Sequence, residues 1–339
     1  MRRFTYIAPT SREDAFSAFA AAGEGARWVA GGTNIYDLMK LDIERPAHLI
    51  DVTAIEGLDA IETGGEMLRF GTNARMADVA ANETILRDYP VLSESLWKAA
   101  SQQLRNMATV GANLLQRTRC LYFRNGAGGA SGGAVIYPCN RREPGSGCAA
   151  IGGIDRGQAV LGASANCTAV SPGDWPVALT AMDAQVELAG PQGARAIPIA
   201  ELYRLPGETP QIEFTLGDGE MITGISVPKT RAGRRSTYHK VRDRESYAFA
   251  LASAAVALDM DGDTIRKAHV ALGGVATVPW RSPEAEAVLA GKPLTEGLAE
   301  KAARAAFAEA KAGKLNGYKI DLGIRTLVDA LSIAAERNS

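Results

Sequence analysis

The chain has 339 residues, 46% of them hydrophobic and 22% charged, with a formal net charge of -1. That length exceeds one ordinary core, and that composition belongs to a folded globular chain rather than a disordered or fibrous one. The near-zero charge gives no global electrostatic reason to bind nucleic acid or an anionic membrane surface.

The opening stretch MRRFTYIAPT carries two arginines with no apolar run behind them, so no signal peptide is expected. FTYIAP reads as a strand. Thr10 or Ser11 can cap a helix over REDAFSAFAAAG, with Gly23 or Gly25 as its stop. ARWVAGG is a short strand running into a glycine turn, NIYDLMKLDI a helix start, and AHLIDV another strand. Together they predict a small β-α-β-type unit. From Ile55 to about Val227 mostly strand and turn are expected. LDAIETGGEMLRFGT reads as a hairpin with Gly64-Gly65 in its loop. The segment from Arg75 to Thr109 reads as two helices broken at Pro90. QAVLGAS, DAQVELAG and GEMITGISVP are strand-like. Pro228 and the basic KTRAGRRST mark a boundary, read as a solvated linker rather than a docking patch. The remainder predicts antiparallel strands, then alanine-rich helices around 297–312 and 321–336. The longest near-apolar stretch, Ala248 to Leu258, falls far short of the ~20 residues that span a bilayer, so no membrane insertion is expected.

Two glycine motifs are candidate sites. In VAGGTNIYDLMK a strand ends at Val29, and Gly31-Gly32 let backbone N–H groups turn toward one point, with Thr33 and Asn34 as further donors. Such a nest suits a phosphate or pyrophosphate. It is not the G-x-G-x-x-G pattern, so no Rossmann site is indicated. In RNMATVGANLLQ, Thr109, Gly111 and Asn113 again supply small residues and donors. A bland alternative exists for each: a plain turn, and a helix end passing into a strand.

In this order the two motifs resemble the flavin subunits of the molybdenum hydroxylase family, which serve xanthine dehydrogenase, carbon monoxide dehydrogenase and aldehyde oxidoreductase complexes. The resemblance covers essentially the whole chain. It implies an α+β fold, with a PCMH-type FAD-binding region in two subdomains (residues 1–54 and 55–228) and a C-terminal α+β domain of the CO dehydrogenase flavoprotein type (229–339). It implies that Arg27, Trp28, Val29, Ala30, Gly31, Gly32, Thr33, Asn34 and Ile35, with Thr109, Gly111 and Asn113, bracket FAD. SPGDWPVALTAMDAQVEL would place Asp174 near the flavin's sugar and ribityl region. GEMITGISVP would set Ile222 against the cofactor, and YHKVRDRESYAFALASAAVAL would bring Lys240 to the flavin edge. One departure is Gly111-Ala112, where the family often has two glycines.

Four cysteines fall in a long insertion at about 117–167, spaced C-x18-C-x8-C-x18-C (Cys120, Cys139, Cys148, Cys167). Taken alone they read equally as unrelated buried thiols. Zinc sites usually show close C-x₂₋₄-C pairs, absent here, and the run is not a ferredoxin pattern. LLQRTRC, YPCNRREPGSGCAA and SANC resemble the subset of the family, aldehyde oxidoreductases among them, that carries an added [4Fe–4S] cluster. Arg117, Arg119, Arg124, Arg141 and Arg142 could then offset the cluster's negative charge. Residues 125–133, NGAGGASGG, read as a flexible tip. His48, His239 and His269 are isolated and read as structural.

The resemblance implies a flavin and [4Fe–4S] electron-transfer subunit of a heterotrimeric aldehyde oxidoreductase. A large partner would hold the molybdenum cofactor, and a small partner two [2Fe–2S] clusters. FAD would pass electrons to an external acceptor, and no residue here is expected to act on the substrate itself. Location would be periplasmic, by co-export with a partner, or cytoplasmic. Two rivals are a stand-alone FAD-dependent reductase using a nicotinamide, with Lys240 and Arg244 near it, and a non-catalytic zinc-binding scaffold.

Overall fold

Ser11 caps the first helix as expected: its hydroxyl accepts the Asp14 N–H at 3.1 Å, and Gly23 ends the helix at φ 62°. That helix, α1 (Arg12–Ala22), joins strands β1 (Thr5–Ile7) and β2 (Ala26–Val29). Helix α2 (Ile35–Lys40) then leads to β3 (His48–Asp51). The three strands form a parallel sheet ordered β1-β3-β2, the β-α-β unit expected. The computed structural model describes residues 1–125 and 137–337. All but the first residue of the expected flexible tip lies outside the described residues.

A second, five-stranded sheet contains β4 (Ile61–Glu62), β5 (Met67–Gly71), β6 (Gln185–Gly190), β7 (Gly193–Pro198) and β8 (Met221–Pro228), ordered β4-β5-β8-β6-β7. The hairpin with Gly64-Gly65 in its loop is present as β4 and β5. The third sheet runs β12-β11-β10-β9 and is antiparallel as expected, with a short β13 beside β11. Its strands are β9 (Ser236–Val241), β10 (Ala252–Asp261), β11 (Thr264–Gly273), β12 (Trp280–Arg281) and β13 (Lys292–Pro293).

Between the hairpin and β6 the expectation of strand and turn fails. This region is mainly short helices and loops. The two helices expected over 75–109 are four: α3 (Met76–Ala81), α4 (Glu83–Asp88), α5 (Pro90–Trp97) and α6 (Gln102–Arg105). Asn82 starts α4 by accepting the N–H groups of Thr84 and Ile85, and Ser101 starts α6 by accepting that of Leu104. These polar caps break the chain where periodicity alone does not. TVGANL forms α7 (Val110–Leu114) rather than a turn into a strand, and α8 (Leu121–Arg124) follows Cys120. QAVLGAS forms no strand. Val160 and Leu161 instead donate to the Val275 carbonyl, and Leu161 makes a single bridge to Ala276.

The near-apolar run Ala248 to Leu258 finds its reason in β10, which is covered on both faces. Ala254, Val256 and Leu258 join the core beneath the C-terminal helices, α12 (Glu296–Ala306) and α13 (Tyr318–Glu336). Ala255 and Ala257 join the core that holds the second sheet, α5 and α9 (Trp175–Ala181). A strand alternates its side chains, so burial on both faces erases the alternating polar pattern. The first alanine-rich helix stops at Ala306, short of the expected 312.

Helix α13 enters beside a buried lysine. Lys319 is 2% exposed and donates to the Gly274 carbonyl at 2.7 Å. Burial lowers its pKa to about 8 from 10.5. Between those two values the folded chain binds fewer protons than the unfolded chain, so this residue's contribution to stability rises with pH. Replacing Lys319 by Met is expected to remove that rise, read as the difference between the two proteins' denaturation midpoints at pH 7 and pH 9.5.

Candidate functional site

At two points a glycine lets the backbone come closer than a side chain would allow. A Cβ on Gly31 would overlap the backbone carbonyl of Met107, and one on Gly111 would overlap the Thr72 hydroxyl. Gly32 adopts φ 69°, a conformation that disfavours other residues. The backbone therefore turns out of β2 directly against the 107–113 segment. Beside this contact opens a cleft of about 1080 Å³. All of Arg27–Ile35 lines it, together with Gly111, Asn113, Asp174 and Ile222. Tyr36, Arg244, Tyr247 and Phe249, which the motifs did not single out as contacts, line it too. Two further expected residues do not line it. Thr109 is 4% exposed at the start of α7, its hydroxyl buried without a partner.

Lys240 is the other. Its ammonium donates to Asp174 Oδ2 at 2.8 Å and to the Lys98 carbonyl at 3.0 Å, and its side chain is 1% exposed. Lys240 therefore stands behind Asp174, which lines the cleft. Tyr238, two residues back and so on the same face of β9, donates its hydroxyl to Asp174 Oδ1 at 2.6 Å and shares a hydrogen bond with Ser253. Burial and the neighbouring carboxylate push the Tyr238 phenol well above its ordinary 10.0. It therefore stays a neutral donor. The sequence reading missed Tyr238, although the i, i+2 spacing to Lys240 was available as a signal.

The cysteines lie next to the cleft. Cys120, Cys139, Cys148 and Cys167 all line one small cavity, with Phe123, Arg141, Gln158 and Ala169 among its walls. Gln158 Nε2 stands 3.5 Å from Cys120 Sγ, and the Ala169 N–H stands 3.5 Å from Cys167 Sγ. Burial raises the Cys120 thiol, and it raises the Cys167 thiol against the pull of Arg141. Among the described residues no three His, Cys, Asp or Glu side chains draw close enough to hold a single metal ion. The four expected ligands are thus brought to one cavity but not to one point.

The arginines are mostly occupied elsewhere. Arg117 pairs with Glu44 and Glu213, Arg119 and Arg124 with Asp37, and Arg142 donates to the carbonyls of Tyr122, Phe123 and Tyr137. Only Arg141, which pairs with Glu213, also reaches a thiol, that of Cys167. The idea of five arginines offsetting charge in the cysteine cavity reduces to one. The histidines lie within strands. His48 shares a hydrogen bond with Thr5, His239 faces Asp329 at 3.7 Å, and His269 faces Asp183 at 3.2 Å.

Residues 2–230 match the family described as the FAD binding domain in molybdopterin dehydrogenase. The chain belongs to the flavin subunits of the molybdenum hydroxylases. Residues 236–323 of this flavin subunit match the CO dehydrogenase flavoprotein C-terminal domain. It is 46% identical to the aldehyde oxidoreductase FAD-binding subunit PaoB of Escherichia coli, over 98% of this chain and 99% of that one. It is 27% identical to the carbon monoxide dehydrogenase medium chain of Afipia carboxidovorans, over 91% and 86% of the two chains. Its fold matches a carbon monoxide dehydrogenase chain from Hydrogenophaga pseudoflava with a TM-score of 0.76 at 26% identity, covering 100% and 99%.

The cleft fits the family's cofactor on its own terms. Its volume of about 1080 Å³ slightly exceeds the ~300–1,000 Å³ usual for small-ligand pockets, which leaves room for a large cofactor. Asn34 Nδ2 and Asn113 Oδ1 are buried without partners, a donor and an acceptor left over beside the glycine contact. Gly31→Ala is expected to force the 107–108 backbone aside and lower the flavin content per chain severalfold, measured by visible absorbance after purification. Lys240→Met should leave the Asp174 carboxylate buried without its cation, at a cost of about 3–5 kcal/mol. Adding Asp174→Asn should recover part of that loss in denaturant unfolding of the apo chain.

Proposed function

We propose that this chain is the flavin and iron–sulfur electron-transfer subunit of a three-chain molybdenum-dependent aldehyde oxidoreductase. The observation that carries the reading is four cysteines lining one cavity beside the flavin cleft, in a chain similar throughout its length to an aldehyde oxidoreductase FAD-binding subunit. A large partner would hold the molybdenum cofactor and oxidise the aldehyde. A small partner with two [2Fe–2S] clusters would deliver electrons to this chain for transfer to an external acceptor. The proposed organisation divides the chain near residues 54 and 228.

FAD supplies a carrier that takes electrons singly and releases them singly or in pairs. The chain's own residues bind and orient it. The backbone N–H groups of Gly31–Asn34 would meet the pyrophosphate. Asn34, Asn113 and Asp174 would hydrogen-bond the polar chain of the cofactor, and Ile222 would pack against its apolar part. Lys240 and Tyr238 would hold Asp174 aimed, and Thr109 would stand behind the cleft at the start of α7.

Cys120, Cys139, Cys148 and Cys167 would hold a [4Fe–4S] cluster. A zinc ion with bonds of ~2.3 Å would draw four thiolates to within ~3.8 Å of one another. A cube takes one thiolate at each iron, so its ligands stand further apart, around a cavity rather than a point. The cube is favoured over the zinc scaffold by the likeness of the whole chain to an aldehyde oxidoreductase FAD-binding subunit and by all four thiols lining one cavity. Gln158, Arg141 and the Ala169 N–H would donate to its sulfurs, a class of contact that tunes potential. The protein can be tested by an absorption spectrum with iron, sulfide and zinc analysis. About one flavin and about four irons per chain, with no zinc, are expected, along with co-purification of two partner chains. Cys120→Ser should lose the iron and keep the flavin. A colourless zinc protein would overturn the reading.

A further inference from the structure

Cys139 and Cys148 face each other across a short antiparallel bridge. The flanking hydrogen bonds run from the Asn140 N–H to the Gly147 carbonyl at 2.7 Å, and from the Ala149 N–H to the Pro138 carbonyl at 3.0 Å. The two cysteines make no backbone bond to one another. They are therefore a non-hydrogen-bonded pair, the type in which opposed Cα atoms lie about 4.5 Å apart and side chains are closest. A disulfide needs Cα atoms about 4.4–6.8 Å apart, so this pair stands within range.

The protein alone fixes this register. The Ser146 hydroxyl accepts the Cys139 N–H at 3.0 Å, and Asn140 Oδ1 accepts the Gly147 N–H at 2.8 Å. The Arg142 and Glu143 N–H groups both reach the Cys139 carbonyl. Gly145 and Gly147 take φ 83° and 97° to close the turn. Cys120 sits instead at the start of α8, and Cys167 bridges Ser164, so neither is held opposite another thiol in this way.

We infer that Cys139 and Cys148 are a thiol-oxidation site: in the metal-free chain they close into a disulfide that removes two of the four thiols from the cavity. The oxidant is a low-molecular-weight disulfide. The more exposed Cys148 attacks one of its sulfurs as the thiolate and expels one thiolate. The thiolate of Cys139, 8% exposed, then attacks Cys148 Sγ and expels the second. Two protein thiols give up two protons and two electrons, and the small disulfide becomes two thiols. The bridge rests on the hairpin geometry alone. Its consequence, that an oxidised chain cannot take up a cluster until reduced, rests also on the function proposed above.

The full chain, stripped of metal by a chelator under reducing conditions, would be treated with oxidised glutathione, alkylated and peptide-mapped by mass spectrometry. The expected result is loss of two alkylation sites and a single peptide pair joining Cys139 to Cys148, formed equally well by Cys120→Ser. Cys148→Ser should form no bridge. Full alkylation of both residues, or a dominant bridge from either to Cys120 or Cys167, would overturn the inference. Iron and sulfide would then be offered to the oxidised and the reduced chain. Uptake only by the reduced chain supports the consequence, and equal uptake by both overturns it. If neither takes up iron while the bridge still forms, the cluster reading fails and the oxidation site stands.

Discussion

The site depends on a close approach that any side chain would prevent. Gly31 lies against the Met107 carbonyl, and Gly111 against Thr72. Their partners are a backbone carbonyl and a buried hydroxyl, neither of which can swing away. A methyl group at either point would overpack its contact by about 1–3 kcal/mol, and at Gly31 it would also part the two loops. The cleft exists because the loops touch here and diverge beyond. The unpartnered Asn34 Nδ2 and Asn113 Oδ1 come from the two loops that make that contact. The excess of glycine in the composition, 36 residues in all, has part of its cause in this junction.

The parallel unit, the glycine loops and the antiparallel C-terminal sheet were legible in the chain because each carries a local signal: a cap, a turn or a hydrophobic run. The segment from Ile55 to Val227 was less so. Its helices are mostly four to eight residues long and begin at polar caps, too short to establish a period. QAVLGAS has the composition of a strand, but its N–H groups go to Val275 and Thr168 without a ladder. The position of Lys240 behind Asp174 was illegible for a different reason. The family motif places the residue in the neighbourhood, while strand parity and packing against Lys98 decide which way its ammonium turns.

Charge in the cysteine-rich insertion was similarly misread from composition. Five arginines beside four cysteines suggest a common purpose, yet most of those cations neutralise carboxylates brought in from elsewhere. Asp37 takes Arg119 and Arg124, both from the insertion, so α2 is fastened to it at two points. The segment following the cysteine hairpin is fastened from the other direction. Asp155 accepts the N–H groups of Lys314 and Leu315, and Asn316 donates to the carbonyls of Gln158 and Ala159. The insertion is thus built into both ends of the chain, which explains how a stretch poor in regular structure holds four thiols around one cavity.

Glu213 sits between the two cavities. One of its oxygens receives Arg117, which lines the cleft, and the other receives Arg141, which lines the cysteine chamber. A carboxylate 9% exposed on its side chain cannot surrender one guanidinium without leaving a half-neutralised anion in a poorly polarisable medium. Rearrangement of either arginine therefore taxes the other. The two chambers thus share a wall in which a single carboxylate holds an arginine of each.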